Sequence, residues 1–192
     1  MNLETKIIIG LERQSEALKT LLWEKAKVYG ISPIQIQILL FVANHKTEIC
    51  NVSYLAKEFN VTKATISDAV RILLKKEYLE KDFSPVDNRR YNLSLNSKGN
   101  ELVSNLSGYA TSLEEELSSF SKENLSTVYD TLTKLIFQLN QRDIIQVQRT
   151  CFNCKYYSGD KKNSHYCKLL QSELKKQELS LDSNEFDEET SR

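Results

Sequence analysis

The stretch from Val52 to Lys76, VSYLAKEFNVTKATISDAVRILLKK, decides the fold. Ser53 can cap a short helix covering Tyr54–Phe59. Asn60 follows, a residue type that tolerates the left-handed conformation of a tight turn. Thr62 can then cap a second helix, Lys63–Lys76. On that helix Ile66, Val70, Leu73 and Leu74 recur at i, i+4, i+7 and i+8, which makes one apolar side. Lys63, Thr65, Ser67, Asp68, Arg71 and Lys75 are left on the others. Two helices joined by a tight turn, the second with a polar outer side, make a helix-turn-helix pattern.

The flanks complete the pattern. Downstream, Tyr78–Phe83 and Arg90–Leu95 read as strands. In the second, Tyr91, Leu93 and Leu95 alternate with Asn92 and Ser94, the period of a half-buried strand. Between them, residues Ser84 to Arg89 make a polar, turn-rich tip. Upstream, Ile7, Leu11, Leu18, Leu21, Leu22 and Ala26 mark a long helix over residues 3–29. Gly30 suits its left-handed end. Ser32 and Gln35 fit a capping box, with Pro33 at the first helical position of a helix reaching about Asn44. Glu48–Val52 is short and β-capable. Beyond the hairpin, one long helix is expected from Lys98-Gly99 to about Ser119, and a last one, capped by Ser121, to about Gln148.

Composition agrees. The 192 residues hold Gly 5 and Pro 2, too few for the turns of a sheet-rich fold, so a mainly α chain is favoured. Net charge is zero, but its distribution is not even. Lys46–Lys98 carries ten Lys/Arg against seven Asp/Glu, and Arg142–Lys176 carries eight against three. The end is acidic (Asp182, Glu185, Asp187, Glu188, Glu189), so a tail offsets a basic body. No apolar run approaches the roughly 20 residues of a membrane span, and Ile7–Ile9 is too short for a signal sequence. The expected location is the cytoplasm, with no membrane partner.

A helix with an apolar inner side and a hydrogen-bonding outer side can enter the major groove of DNA, about 12 Å wide. Thr65, Ser67, Asp68 and Arg71 have the length and the donors or acceptors for base edges. Asp68 also suits a salt bridge to Arg71, three residues on. Lys63 and Lys75 suit phosphates. Arg89 and Arg90, at the hairpin tip, suit phosphates or the narrower minor groove.

These residues resemble the MarR family of regulators over roughly residues 1–148. Val52–Phe59 is similar to the family's first motif helix, and Thr62-Lys63-Ala64-Thr65-Ile66-Ser67 to the start of its recognition helix. Asp87-Asn88-Arg89-Arg90-Tyr91-Asn92-Leu93-Ser94-Leu95-Asn96 resembles the wing signature D-x-R-x-x-x-L-x-L-T, with Asn96 where Thr is usual. The resemblance implies that Asp87 orients Arg89 and that a wing arginine enters the minor groove. It also implies a homodimer built from the first and the last two helices, and the amphipathic terminal helices support this independently. A two-fold dimer would read double-stranded DNA at a pseudo-palindromic operator, with half-sites about 34–36 Å apart. The expected architecture is a mainly α winged helix-turn-helix with a small β wing and long N- and C-terminal dimerisation helices. Residues 1–30 and 97–148 would form the dimerisation region and 31–96 the DNA-binding domain. A cysteine-rich segment (149–183) and an acidic tail (184–192) would come after them.

Three of the four cysteines fall in that segment: Cys151-Phe152-Asn153-Cys154 and, after twelve residues, Cys167. A C-x2-C turn points two thiolates at one metal. Cys50 lies apart and reads as a buried apolar residue. A fourth ligand is expected, and His165 is nearest. Ser183 stands where a cysteine would complete C-x2-C-x12-C-x15-C, with Asp182 beside it. Thiolates with one histidine favour zinc. Three thiolates with an oxygen or solvent in the fourth position suit an iron–sulfur cluster. Flexible thiols, or a Cys151–Cys154 disulfide acting as a redox switch, are the alternative. Phe152, Tyr156, Tyr157 and Tyr166 could shield any such site.

An enzyme is not expected. His45 and His165 sit in no recognisable nucleophile or base constellation, and no Gly-rich phosphate loop exists. Two readings of the regulator stay open. One takes a metal or redox input through the cysteines. The other responds to a small-molecule effector and keeps a merely structural zinc or thiol tail.

Overall fold

The computed structural model describes residues 1–83, 91–160 and 164–187. The fold is mainly helical with two small sheets, and it divides into two compact units, residues 1–56 with 61–116 and residues 57–60 with 117–192.

The first unit opens with α1 (Leu3–Tyr29), capped by the Asn2 side chain accepting from the Thr5 N–H at 2.9 Å. Gly30 ends it at φ 59°, the left-handed value expected. In α2 (Pro33–Asn44) the Gln35 side chain accepts from the Ser32 N–H at 2.8 Å. This helix is the hub, packing against α1, α4, α5 and β2. It buries Ile36, Ile38 and Leu39 completely. Burying three such side chains contributes about 1.5–3 kcal/mol each before the entropy of ordering them.

Residues 47–49 form a 3₁₀ turn rather than the expected strand. Cys50 contributes to the sheet in another way, its carbonyl accepting from the Leu93 N–H at 2.7 Å. Its side chain is buried, as expected. Helix α3 spans Val52–Glu58, and the side chain that caps it is Asn51, accepting from the Tyr54 N–H at 3.0 Å, not Ser53. The cap sits two residues earlier than expected because Asn and Ser are both good caps, and the chain used the first.

The turn after α3 carries Asn60 at φ 51°. Helix α4 comes next (Lys63–Lys75), its Thr62 side chain accepting from the Thr65 N–H at 3.1 Å. Strands β1 (Leu79–Phe83) and β2 (Tyr91–Leu95) pair antiparallel, Leu79 opposite Leu95 and Phe83 opposite Tyr91. The wing is fixed to the next helix through Gly99, where a Cβ would meet the Tyr78 carbonyl oxygen at 2.0 Å. No other residue fits that approach without moving backbone.

The helix expected over 98–119 is two, α5 (Ser97–Leu106) and α6 (Thr111–Ser118). Ser107 and Gly108 stand at the break, the first a competitor for backbone hydrogen bonds and the second the poorest helix former after proline.

In the second unit α7 runs from Lys122 to Asn140, with Ser121 as its cap, and stops eight residues short of expectation. The Asn140 side chain donates to the Ile145 carbonyl at 2.8 Å, and Asp143 sits at φ 57°, so the chain turns instead. Beyond this turn lies a small sheet. Strands β3 (Tyr157–Gly159), β4 (His165–Cys167) and β5 (Ser172–Glu173) pair antiparallel in the order β3-β4-β5. Among the described residues, no single helix is long and apolar enough to cross a membrane.

Candidate nucleic-acid interface and thiol centre

Helix α4 has two unlike sides. Ile66, Ala69, Val70 and Leu73 are buried. Lys63, Thr65, Ser67, Asp68, Arg71 and Lys75 are all exposed. The apolar spacing forces this: once one side is drawn into the core by α2, the residues between must face outward. The polar side therefore presents two hydroxyls, a carboxylate and three cations along one helix. Arg71 donates to Asp68 at 2.8 Å, with both side chains at least two-thirds exposed. Such a pair is worth about 0–1 kcal/mol. It parks the guanidinium without committing it.

On the wing, the Lys81 ammonium lies 4.2 Å from the centre of the Tyr91 ring. The three remaining wing residues singled out from the sequence, Asp87, Arg89 and Arg90, lie outside the described residues.

In the second unit Cys151, Cys154 and Cys167 line one hollow together with Ser183 and Glu185. All three cysteines are free thiols. Three segments deliver these groups. The first is the C-x2-C turn, closed by the Cys154 N–H on the Cys151 carbonyl at 3.1 Å. The second is β4, which places Cys167 opposite Tyr157. The third is the stretch from Ser180, laced to the first by Cys151 N–H on Ser180 O (3.2 Å) and Ser183 N–H on Arg149 O (3.1 Å). The Ser180 N–H also donates to Cys151 Sγ at 3.2 Å.

Burial pushes the Cys151 thiol above its ordinary value. The Ser180 N–H works against this, and the neighbouring Cys154 and Cys167 add to it. Three thiols that would repel one another as anions thus share a desolvated hollow. Among the described residues, no group of three or more His, Cys, Asp and Glu stands at metal-holding distances.

Two of the other ligand candidates, His165 and Asp182, do not line the hollow. His165 is buried, with Nδ1 at 2.7 Å from the Tyr157 hydroxyl and its ring packed by Phe152 and Tyr157. Its Nε2 is buried without a hydrogen-bond partner. Asp182 takes the Arg149 Nε at 2.6 Å. Of the fourth-ligand candidates read from the sequence, Ser183 alone lines the hollow. Glu185, which sequence reasoning passed over as part of an acidic tail, lines it too. Its signal was present, two residues past Ser183, but hidden among five tail carboxylates.

Comparison with known proteins places the first unit. Residues 29–90 match the model of the MarR family. A MepR–DNA complex from Staphylococcus aureus superposes with a TM-score of 0.60 at 23% identity, covering 72% of this chain and 99% of that one. A MarR transcriptional regulator from Methanosarcina mazei Go1 gives 0.60 at 21%, covering 72% and 98%. A MarR-family regulator from Rhodococcus sp. RHA1 gives 0.58 at 15%, covering 71% and 98%. The fold is the one these regulators share. No curated protein matches the chain.

Proposed function

We propose that the chain is a sequence-specific transcription regulator that binds double-stranded DNA as a homodimer and has no enzymatic activity. The observation that carries this is the exposed polar side of α4, with Thr65, Ser67 and Arg71 outward while Ile66, Val70 and Leu73 are buried. It comes after a tight turn at Asn60 and precedes a two-stranded wing. The likeness of the fold to a regulator solved with DNA supports the reading.

Arg71 reads a base edge, and Lys63 and Lys75 take phosphates. Arg89 and Arg90 track the minor groove or backbone beside it, with Asp87 orienting Arg89. The partner copy covers α1, which exposes Ile7, Ile8, Leu11, Leu18 and Trp23 along a helix with little else buried. An apolar stripe of that length is the kind of surface a second copy shields.

The second unit supplies an input. Cys151, Cys154 and Cys167 take up zinc or an iron–sulfur cluster, or change redox state, and this alters the dimer that α7 helps to build. The shared hollow of the three thiols favours this reading over a small-molecule effector with a merely structural tail.

Fluorescence anisotropy with labelled duplexes tests the DNA reading. Tight binding to a selected duplex, falling steeply with salt, is expected. Binding that is absent at low salt, or indifferent to salt, would overturn it.

A further inference from the structure

We infer that Arg149 is a positioning residue for DNA binding: by holding the Glu58 carboxylate it fixes the end of α3 and the tight turn that aims α4. The inference rests on the DNA-binding reading above. It goes beyond that reading by giving the second unit a route to the recognition helix that does not pass through the dimer.

The turn between the two motif helices is thinly anchored by its own residues. Helix α3 has seven residues, too few to be stable on their own, and of these Leu55 and Ala56 are buried. Its last carbonyls are closed by the chain itself. The Asn60 N–H donates to the Lys57 carbonyl at 3.2 Å and the Val61 N–H to the Ala56 carbonyl at 3.0 Å, with Asn60 at φ 51°. This is a Schellman ending, built on an asparagine where glycine would cost less. Two residues on, Thr62 caps α4. The backbone angles of residues 59–61 therefore set the direction of α4 relative to α3, yet Asn60 and Val61 are exposed.

An anchor comes from the second unit, to which residues 57–60 belong. Arg149 puts its two terminal nitrogens on both Glu58 oxygens, at 2.6 and 2.9 Å. A fork on a carboxylate fixes angle as well as distance, and this guanidinium is buried, with little room to turn. Arg149 is itself firmly seated. Its Nε donates to Asp182 at 2.6 Å, and its carbonyl accepts the Ser183 N–H at 3.1 Å. Two residues on, the Cys151 N–H donates to the Ser180 carbonyl at 3.2 Å, and the Ser180 N–H donates to Cys151 Sγ at 3.2 Å. The segment that carries the thiols thus also carries the arginine that grips the turn.

A helix that reads bases works when its side chains are held within about 0.5 Å and 10–20° of the productive geometry. Loosening Glu58 lets the left-handed turn relax and spreads α4 over more orientations. Affinity then falls although no DNA contact is lost, because binding must order the helix first. Electrostatics predicts the opposite sign. Taking a negative charge out of a protein that binds DNA weakens its repulsion of phosphates and raises affinity. The direction of one substitution separates the two causes. Glu58→Gln keeps the size of the side chain and one acceptor oxygen, and drops the charge.

The test is fluorescence anisotropy of the full chain on its selected duplex across a salt series. Folding is checked by circular dichroism and the active fraction by stoichiometric titration. Glu58→Gln should weaken binding about fivefold, with the salt slope unchanged because no phosphate contact is lost. Arg149→Gln should weaken it to the same extent, and the double variant no further, since both remove one interaction. If Arg149→Gln fails to fold, Glu58→Gln decides alone. Asp182→Asn, which leaves the fork on Glu58 in place, should cost less than about twofold. Unchanged or tighter binding by folded Glu58→Gln would overturn the positioning role and leave the DNA reading standing. Equal losses in Asp182→Asn and Glu58→Gln would overturn it too, because order in the whole segment would then set affinity. A salt slope lowered by about one in Arg149→Gln would make Arg149 a phosphate contact instead. A wild type that binds no duplex would overturn the DNA reading and this role with it.

Discussion

Arg149 places its Nε on one carboxylate oxygen of Asp182 at 2.6 Å. Its two terminal nitrogens take both oxygens of Glu58, at 2.6 and 2.9 Å, within the same compact unit. The Arg149 side chain is 5% exposed, Glu58 18% and Asp182 52%. A buried guanidinium needs such partners, because desolvating it alone costs several kcal/mol. The two carboxylates differ in consequence. Removing Arg149 strands Glu58 in a poorly solvated place, whereas Asp182 can turn to water. Arg149→Ala should destabilise the chain by about 3–5 kcal/mol, and Asp182→Asn by about 1 kcal/mol or less. Urea denaturation monitored by circular dichroism measures both, and equal losses would contradict the ranking.

Arg71 and Asp68 form the mirror case. Both are exposed, so their pair contributes little to stability and much to where the guanidinium waits. Arg71→Ala should cost about 1–3 kcal/mol in discrimination between cognate and scrambled duplexes. Asp68→Asn frees Arg71 and removes a charge that repels phosphates. It should bind all duplexes more tightly while stability changes by less than about 0.5 kcal/mol. Anisotropy on the two duplexes reads both effects.

Arg89, read from the sequence as a wing-tip residue, lies outside the described residues. Its expected role is electrostatic. Arg89→Ala should weaken binding to every sequence alike and lower the salt slope by about one. An unchanged affinity would show that the wing takes no part in holding DNA.

Trp23 stands 54% exposed on α1, with Ile7, Ile8, Leu11 and Leu18 along the same helix. A charge there costs little in one copy and much between two. Trp23→Glu should shift sedimentation from dimer to monomer, with loss of operator binding and little change in the helical spectrum.

How far the sequence spoke depended on the length of each signal. Helix α4 was legible to within one residue, because four apolar positions, a capping threonine and a tight-turn asparagine agree. The wing was legible because Tyr91, Leu93 and Leu95 alternate. The break between α5 and α6 was not, since Ser107 and Gly108 interrupt an apolar pattern that continues on both sides. The early end of α7 depends on Asn140 reaching the Ile145 carbonyl, a contact that hydropathy does not encode. The sheet of the second unit escaped notice because strands of two and three residues carry no period. The three cysteines were legible from spacing. Ser183 was legible from the same spacing, but Glu185 was not, because it reaches the hollow through a turn set by backbone hydrogen bonds at Arg149 and Ser183.

The central claim is that α4 lies with its polar side in the major groove, one copy per half-site of a two-fold dimer. Selection from a random duplex library with the full chain tests it most directly. The predicted result is enrichment of an inverted repeat with half-site centres about one helical turn apart, and of a degenerate version of that repeat with Arg71→Ala. Failure to enrich any duplex, or enrichment of a site without two-fold symmetry that Arg71→Ala leaves unchanged, would contradict it.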